Sequence, residues 1–254
     1  MMQALPDLSA PNFFENSLSI KVGGRVFHVH AALINKTSEF FKAASKAEWR
    51  TDPSKPIELA DETPENFEKY CQWLYTKMVS FKNPSLPNAF YNPVELYILG
   101  EKIMDQQFQD DVIDAMIAER ITNSQSSKFY AKCPDLQSIK FLYDGTPGVS
   151  PMKRLIVDLW AYYMTHDFPD VEKLTDDAHK PFLADLLPVL IRSRLVHDAS
   201  KFKPWSVRKN YHVHTMTAKG AARKTSETTS EGTLPAQVKG MASLLFQKWS
   251  GPAA

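Results

Sequence analysis

The first hydrophobic pattern in the chain is a two-residue alternation, which predicts a β-hairpin. Apolar and polar residues alternate over residues 18–22, Gly23-Gly24 follows, and residues 25–30 alternate again. Two such runs joined by a two-residue glycine loop are typical of a hairpin. Because strand side chains point alternately to opposite faces, we expect the apolar residues of the first strand to face the core. A third short strand is predicted at Ile57–Leu59.

Beyond the hairpin, apolar residues recur at three- and four-residue steps, which predicts helices. In the helix expected from Pro64 to about Met78, Thr63 is the predicted N-cap. We expect Tyr75 and Met78 on its buried stripe, whereas Trp73 lies off that stripe and faces a neighbour. The other helices are predicted to begin at Ala31, after Thr37 or Ser38 as the cap, and at Pro93, Gln106, Pro134, Pro151 and Pro181.

The order of these elements predicts an α+β fold followed by helices only. We expect a leader over residues 1–16 and a domain over residues 17–120, in which the hairpin and third strand are covered by helices. An all-α extension follows over residues 121–200, and residues 201–254 form a basic, largely disordered tail. The formal net charge of +1 conceals this division, since the tail holds nine basic residues against two acidic ones.

The tail combines a polar stretch with one amphipathic segment. Residues 215–233 have almost no large apolar side chain and are predicted to be a flexible linker, because they cannot bury enough surface to offset the entropy of ordering. Residues 234–249 have helical spacing, and we expect them to form a helix only when docked on the extension or on another protein. The alternative is a frayed chain end that binds nothing. The candidate docking residues are Leu234, Val238, Met241, Leu245 and Trp249.

The remaining composition argues against several classes of protein. No apolar run is long enough for a membrane span, and residues 1–17 lack the basic and apolar parts of a signal peptide. Two cysteines, Cys71 and Cys133, indicate a reducing compartment rather than a disulfide framework. We therefore expect an intracellular protein, cytoplasmic, nuclear or both. No nucleophile motif, phosphate loop or cofactor motif is present, so we predict a non-enzymatic chain without a cofactor.

Two His-x-His pairs were considered as metal ligands. His28 and His30 share one face of the second strand, but nothing in the hairpin completes a metal site, which favours packed or hydrogen-bonded side chains. His212 and His214 repeat the spacing among basic neighbours, which disfavours a cation. No metal is predicted at either pair.

Three acidic residues on one predicted helix, Asp110, Asp111 and Asp114, suggest acid-base chemistry at first sight. They alternate with apolar residues in the manner of an amphipathic helix. We therefore predict that they form a solvated face.

The order and spacing of these elements resemble BTB/POZ domains. Phe27-x-x-His30 at the end of the hairpin, followed by Ser38-x-x-Phe41, is similar to the opening of that family, and the resemblance covers residues 17–120 most strongly. Residues 96–105 and 143–147 look like the fungal members, which carry a helical C-terminal extension. The positions that carry the structural motif are Phe27, His30, Leu33, Ser38, Phe41, Asp61, Trp73 and Tyr75.

The resemblance implies a protein-protein interaction module acting as a scaffold or adaptor. It also implies a homodimer, for which the candidate interface residues are Phe13, Phe14, Ile34 and Phe40. One alternative is a substrate adaptor of a cullin-type ubiquitin ligase, although the hydrophobic-x-acid motif is not in register near Val94-Glu95. Another is a nuclear, chromatin-associated factor that uses the basic tail, whose nucleic-acid binding would be weak and independent of sequence. No membrane partner is implied.

Overall fold

The computed structural model describes residues 17–46, 48, 52, 54–81, 91–122, 133–163, 174, 180–194 and 204–214. The predicted leader at residues 1–16, the linker at residues 215–233 and the amphipathic segment at residues 234–249 lie outside the described residues.

The three predicted strands form one sheet in the order β2-β1-β3, with β1 at Ser17–Val22, β2 at Arg25–His30 and β3 at Ile57–Leu59. β1 is antiparallel to β2 and parallel to β3. Gly23 and Gly24 both adopt positive φ, +49° and +88°, which the tight hairpin turn requires and which glycine tolerates without strain. The hairpin and the third strand are therefore confirmed.

Helices cover the sheet and continue into the extension. The helices before residue 123 are α1 Ala31–Thr37, α2 Glu39–Ala44, α3 Pro64–Thr76, α4 Tyr91–Lys102 and α5 Gln106–Met116. A π-helical turn at Ile117–Thr122 continues α5. Those that follow are α6 Leu136–Gly145, α7 Pro151–Tyr163 and α8 Lys180–Arg194, then two short 3-10 turns at Pro204–Ser206 and Arg208–Tyr211.

Side-chain caps set several helix starts. Ser38 accepts the N–H of Phe41 at the start of α2, and Thr63 accepts the N–H of Asn66 at the start of α3, as the sequence predicted. Each cap satisfies a backbone donor that the first helical turn leaves without a partner.

Helix α4 lies at the centre of the core and is buried on nearly all sides. It packs against α3, α5 and α6. Two glycines permit the close approach: a Cβ on Gly100 would come within 2.6 Å of Gln109 Cγ, and one on Gly145 within 2.6 Å of Ile98 Cδ1. The α+β domain and the extension consequently share one hydrophobic core.

The prediction that the buried stripe of α3 includes Tyr75 and Met78 was wrong. Tyr75 and Met78 are 47% and 73% exposed, whereas Trp73 is fully buried and faces α5. The helix ends at Thr76 because Lys77 adopts a left-handed conformation with φ of 55°, which turns the chain before Met78 can join the buried face.

Residues 204–214, which the sequence analysis assigns to the tail, pack against α5 and α7. Trp205 and Tyr211 are buried there, at 4% and 3% exposure. The compact unit that begins before the sheet continues to Thr215. Among the described helices, none combines the length and the apolar character that crossing a bilayer requires.

Candidate functional site

Helix α5 and its N-cap carry four aspartates that the fold uses as hydrogen-bond acceptors. They are Asp105, Asp110, Asp111 and Asp114, called the α5 carboxylates below. Asp105 and Asp110 are buried, and the other two are half-buried. The prediction that Asp110, Asp111 and Asp114 form a solvated face was wrong, because each accepts or pairs with a side chain from a distant part of the sequence.

Asp105 joins α5 to α3. One carboxylate oxygen accepts the Tyr70 hydroxyl at 2.8 Å, and the other accepts the N–H of Phe108 at 2.9 Å as the cap of α5. Burial, with the neighbouring Asp105, raises the pKa of Tyr70 well above its usual value. The hydroxyl therefore stays protonated and serves as a permanent donor to a buried acceptor.

Asp111 receives the second donor from α3. The indole N–H of Trp73 donates to its carboxylate at 2.7 Å, and the Trp73 ring packs on Phe108 with centroids 4.9 Å apart. Burial raises the pKa of Asp111, while the indole hydrogen bond opposes that rise. Lys77 makes a cation-π contact with the Trp73 ring, with its ammonium 3.8 Å from the ring centre.

Asp110 and Asp114 face the segment of residues 204–214 instead. Asp110 accepts the backbone N–H of Val213 on one oxygen and contacts Nδ1 of His214 with the other. Asp114 lies 3.1 Å from Nε2 of His212. The two carboxylates stand four residues apart on the same face of α5, so they meet two imidazoles that are two residues apart on the incoming segment.

The same segment is anchored on α7. The Tyr211 hydroxyl donates to Asp158 at 2.6 Å, and Arg154 donates to the carbonyl of Asn210 at 2.6 Å. Burial raises the pKa of Asp158, and its hydrogen bond from Tyr211 opposes the rise. Trp205 stacks on Tyr163 with centroids 5.5 Å apart. Trp205 and Tyr211 thus anchor residues 204–214 on α7.

The motif residues of the sheet and α1–α3 region have structural contacts. Phe27 packs edge-to-face on Phe67 at 5.1 Å, and Phe41 is fully buried. The hydroxyl of buried Ser38 donates to the carbonyl of Ile103 at 2.6 Å while capping α2. Ser38 therefore ties two helices with one side chain.

Three further motif positions are less buried. Leu33 is half-buried on α1, and Asp61 is exposed, its backbone carbonyl accepting from Lys102 at 3.0 Å. Tyr75 accepts the N–H of His30 at 3.3 Å, and its hydroxyl lies 2.7 Å from Nδ1 of that ring.

The first His-x-His pair has two separate sets of contacts. His28 Nδ1 lies 3.2 Å from the Ser19 hydroxyl across the hairpin, while His30 contacts Tyr75. The hydrogen-bonded role predicted for both imidazoles is confirmed by these contacts.

The thiols of Cys71 and Cys133 are not activated as nucleophiles. Burial raises the pKa of Cys71 to about 12, and it also raises that of Cys133, so both thiols are protonated at neutral pH. A thiolate is the reactive form of cysteine, which makes these two side chains structural.

The residues predicted to form the dimer interface differ in solvent accessibility. Ile34 is fully buried in the chain's own core and offers no surface to a partner, whereas Phe40 is half-buried beside Phe41. Phe13, Phe14 and the docking residues predicted between 234 and 249 lie outside the described residues.

The region weighed for cullin binding is also packed inward. Val94 is fully buried, and Glu95 is half-buried next to Asn92 and Lys69. Burial raises the pKa of Glu95. A hydrophobic residue and an acid presented to a partner would both have to be accessible, and here Val94 is not.

Comparison with known families gives one match. Residues 12–99 match the BTB/POZ domain, a protein-protein interaction module that is generally non-enzymatic. The match begins before β1, so it includes Phe13 and Phe14, and it ends inside α4. No curated protein matches the chain. The chain therefore contains a BTB/POZ domain, built here as a three-stranded sheet covered by helices.

Proposed function

We propose that the chain is a non-catalytic scaffold or adaptor that self-associates through its BTB/POZ domain. The observation that carries the proposal is the match of residues 12–99 to a family of interaction modules. The engagement of Asp110, Asp111 and Asp114 in structural contacts supports it, since these three carboxylates were the candidates for acid-base chemistry. The fungal type of domain is part of the proposal and rests on the resemblance of residues 96–105 and 143–147.

The proposed self-association surface combines the start of the domain with the edge of the sheet. β2 lies at the end of the strand order within the described part of the chain, and an edge position of this kind supports pairing with a second copy. Val26 on this strand is 50% exposed. Phe13 and Phe14 precede β1 by a few residues and add two large apolar side chains. Grouped apolar side chains on a surface mark contact sites more often than single ones do.

Light scattering coupled to size exclusion tests the proposal on the full chain. We expect twice the 28.8 kDa chain mass for the wild type and the chain mass for the double variant Phe13→Asp/Phe14→Asp. The matched control is Phe141→Asp, the same change at an exposed phenylalanine on α6, which should remain dimeric. Phe40 is a poorer test position because its ring packs on Phe41 and its loss would disturb the core.

A monomeric wild type at concentrations well above micromolar would reject self-association and leave only a monomeric adaptor. Affinity purification with the wild type and the double variant separates the scaffold from the ligase alternative. We expect the retained proteins to lack a cullin, since no hydrophobic-x-acid motif stands in register near Val94-Glu95. A cullin retained at stoichiometric levels would replace the scaffold proposal with a ligase adaptor.

A further inference from the structure

The contact between α5 and residues 204–214 brings together three side chains with metal-binding atoms. One ligand atom each from Asp110, His212 and His214 lies within 4.8 Å of the other two. Neither helical periodicity nor the His-x-His spacing reveals this arrangement, because Asp110 and His214 are 104 positions apart in the sequence. The fold supplies the third ligand that the second His-x-His pair lacks.

The three side chains are held in place by contacts of their own backbone and neighbours. Val213 donates its N–H to Asp110, which places the residues on either side of it next to the same carboxylate. Tyr211, one residue before His212, is fixed by its hydrogen bond to Asp158. The Asp110 side chain is only 7% exposed, so its position is set by packing. Such support is what keeps metal ligands at a workable separation.

We propose that Asp110, His212 and His214 bind one divalent transition-metal ion of the zinc class. Two imidazole nitrogens and one carboxylate oxygen are a common zinc ligand set, with metal-ligand distances of about 2.0 to 2.2 Å. Tetrahedral geometry at those distances separates ligand atoms by about 3.3 Å. The three ligand atoms, all within 4.8 Å of one another, lie in the range of separations from which a shared ion can be reached. The imidazoles select zinc, cobalt or nickel over calcium and magnesium, which prefer oxygen.

The local charge favours a cation despite the basic residues nearby in the sequence. Asp110 and Asp114 both face the imidazoles, and Asp114 lies 3.1 Å from Nε2 of His212. The two carboxylates at this contact supply negative charge that a divalent ion can balance. Asp114 then either completes the coordination or orients His212 as its hydrogen-bond partner, and an aqueous ligand fills any open position.

The ion would fasten residues 204–214 to α5. In its absence the same contact depends on the pairing of His214 with Asp110 and of His212 with Asp114. A metal that binds only the docked arrangement stabilises it by mass action. The site is structural and does not depend on the proposed self-association.

Metal titration of the untagged full chain, stripped beforehand with a chelator, tests the site. We expect one equivalent of Zn²⁺ by calorimetry and a visible Co²⁺ spectrum of tetrahedral intensity. Asp110→Asn and His214→Gln should each weaken zinc binding by more than about 100-fold, and Asp114→Asn by about 10- to 100-fold as a supporting residue. His28→Gln, at the exposed hairpin histidine, is the matched control and should bind as the wild type does.

Chemical modification of histidines keeps the test informative if a variant fails to fold. In the wild type, Zn²⁺ should protect His212 and His214 from diethyl pyrocarbonate while His28 reacts at an unchanged rate. Absence of stoichiometric zinc binding would overturn the proposal. So would binding that survives Asp110→Asn and His214→Gln in folded variants, or zinc that leaves the reactivity of His212 and His214 unchanged.

Discussion

Helix α5 contacts α3 on one side and residues 204–214 on another, and it offers aspartates to both. Toward α3, Asp105 and Asp111 receive a phenol and an indole. Toward residues 204–214, Asp110 and Asp114 meet imidazoles. Phenol and indole keep their protons throughout the physiological pH range, whereas an imidazole can lose its proton or bind a metal. Aspartate side chains thus form a contact with fixed donors toward α3, and toward residues 204–214 a contact whose imidazoles can change protonation or bind a metal.

Burial reinforces this difference. Tyr70 and Trp73 are fully buried, while His212 and His214 are 13% and 58% exposed in their side chains. Hydrogen bonds in the more buried contact meet less competition from water, and loss of a donor there leaves a buried or half-buried carboxylate without that partner. The α3 contact should therefore contribute to global stability, and the segment contact should control local docking.

The largest expected effect is at Trp73. Trp73→Ala should lower the free energy of unfolding by about 3 to 5 kcal/mol, because it empties a fully buried aromatic site and removes the donor to Asp111. Denaturant titration followed by circular dichroism measures the loss. Trp73→Phe keeps most of the packing and should cost clearly less. Equal losses in the two variants would show that the hydrogen bond, and not the ring, dominates.

Tyr70→Phe isolates the hydroxyl in the same contact. It should lower the free energy of unfolding by about 1 to 3 kcal/mol, since Asp105 loses a donor in a buried setting. Tyr143→Phe is the matched control, because its hydroxyl donates to Asp185 at 2.7 Å on the exposed surface of the extension. The control should cost under about 1 kcal/mol. If both variants lose the same stability, burial does not distinguish these contacts.

Tyr211→Phe tests the segment contact. Removing the donor to Asp158 should weaken docking by about 1 kcal/mol, or roughly fivefold in the opening equilibrium. Amide hydrogen exchange should accelerate at Asn210, His212 and Val213, whose N–H groups are bonded within the docked segment or to Asp110. Exchange in α3 and α4 should stay at the wild-type rate. Uniform acceleration across the chain would contradict the separation of the two contacts.

The smallest effect is expected at the hairpin end. His30→Ala removes a half-buried ring whose partner, Tyr75, is 47% exposed, so water can replace the lost hydrogen bond. The cost should be about 0.5 kcal/mol, near the lower limit for a protein hydrogen bond. Thermal unfolding beside Tyr75→Phe measures it. A loss as large as that of Tyr70→Phe would place this pair with the buried contacts.

The features that the sequence predicted well are local ones. The hairpin with Gly23-Gly24, the third strand and the caps at Ser38 and Thr63 all depend on residues within a few positions of each other. The side-chain contacts of α5 with distant segments depend on pairs 35 to 104 positions apart, as Tyr70–Asp105 and His214–Asp110 are. Amphipathic spacing places an aspartate on the outer side of a helix but does not show which later segment covers that side.

The end of α3 was missed for another reason. Lys77 adopts a left-handed conformation there, although the sequence has no glycine at this position to announce the turn. Apolar spacing alone continues through Tyr75 to Met78, and only the backbone at Lys77 shows that the buried stripe stops earlier.

The distance along the chain between Asp114 and His212, 98 positions, also matters during synthesis. At translation rates of about 5 to 20 residues per second, roughly 5 to 20 seconds separate the emergence of α5 from that of the segment that covers it. An apolar face left bare for that period would invite aggregation of the nascent chain. Aspartate side chains remain soluble in water until residues 204–214 have been synthesised, and they then bind that segment. The surface of α5 therefore suits both the nascent chain and the folded protein.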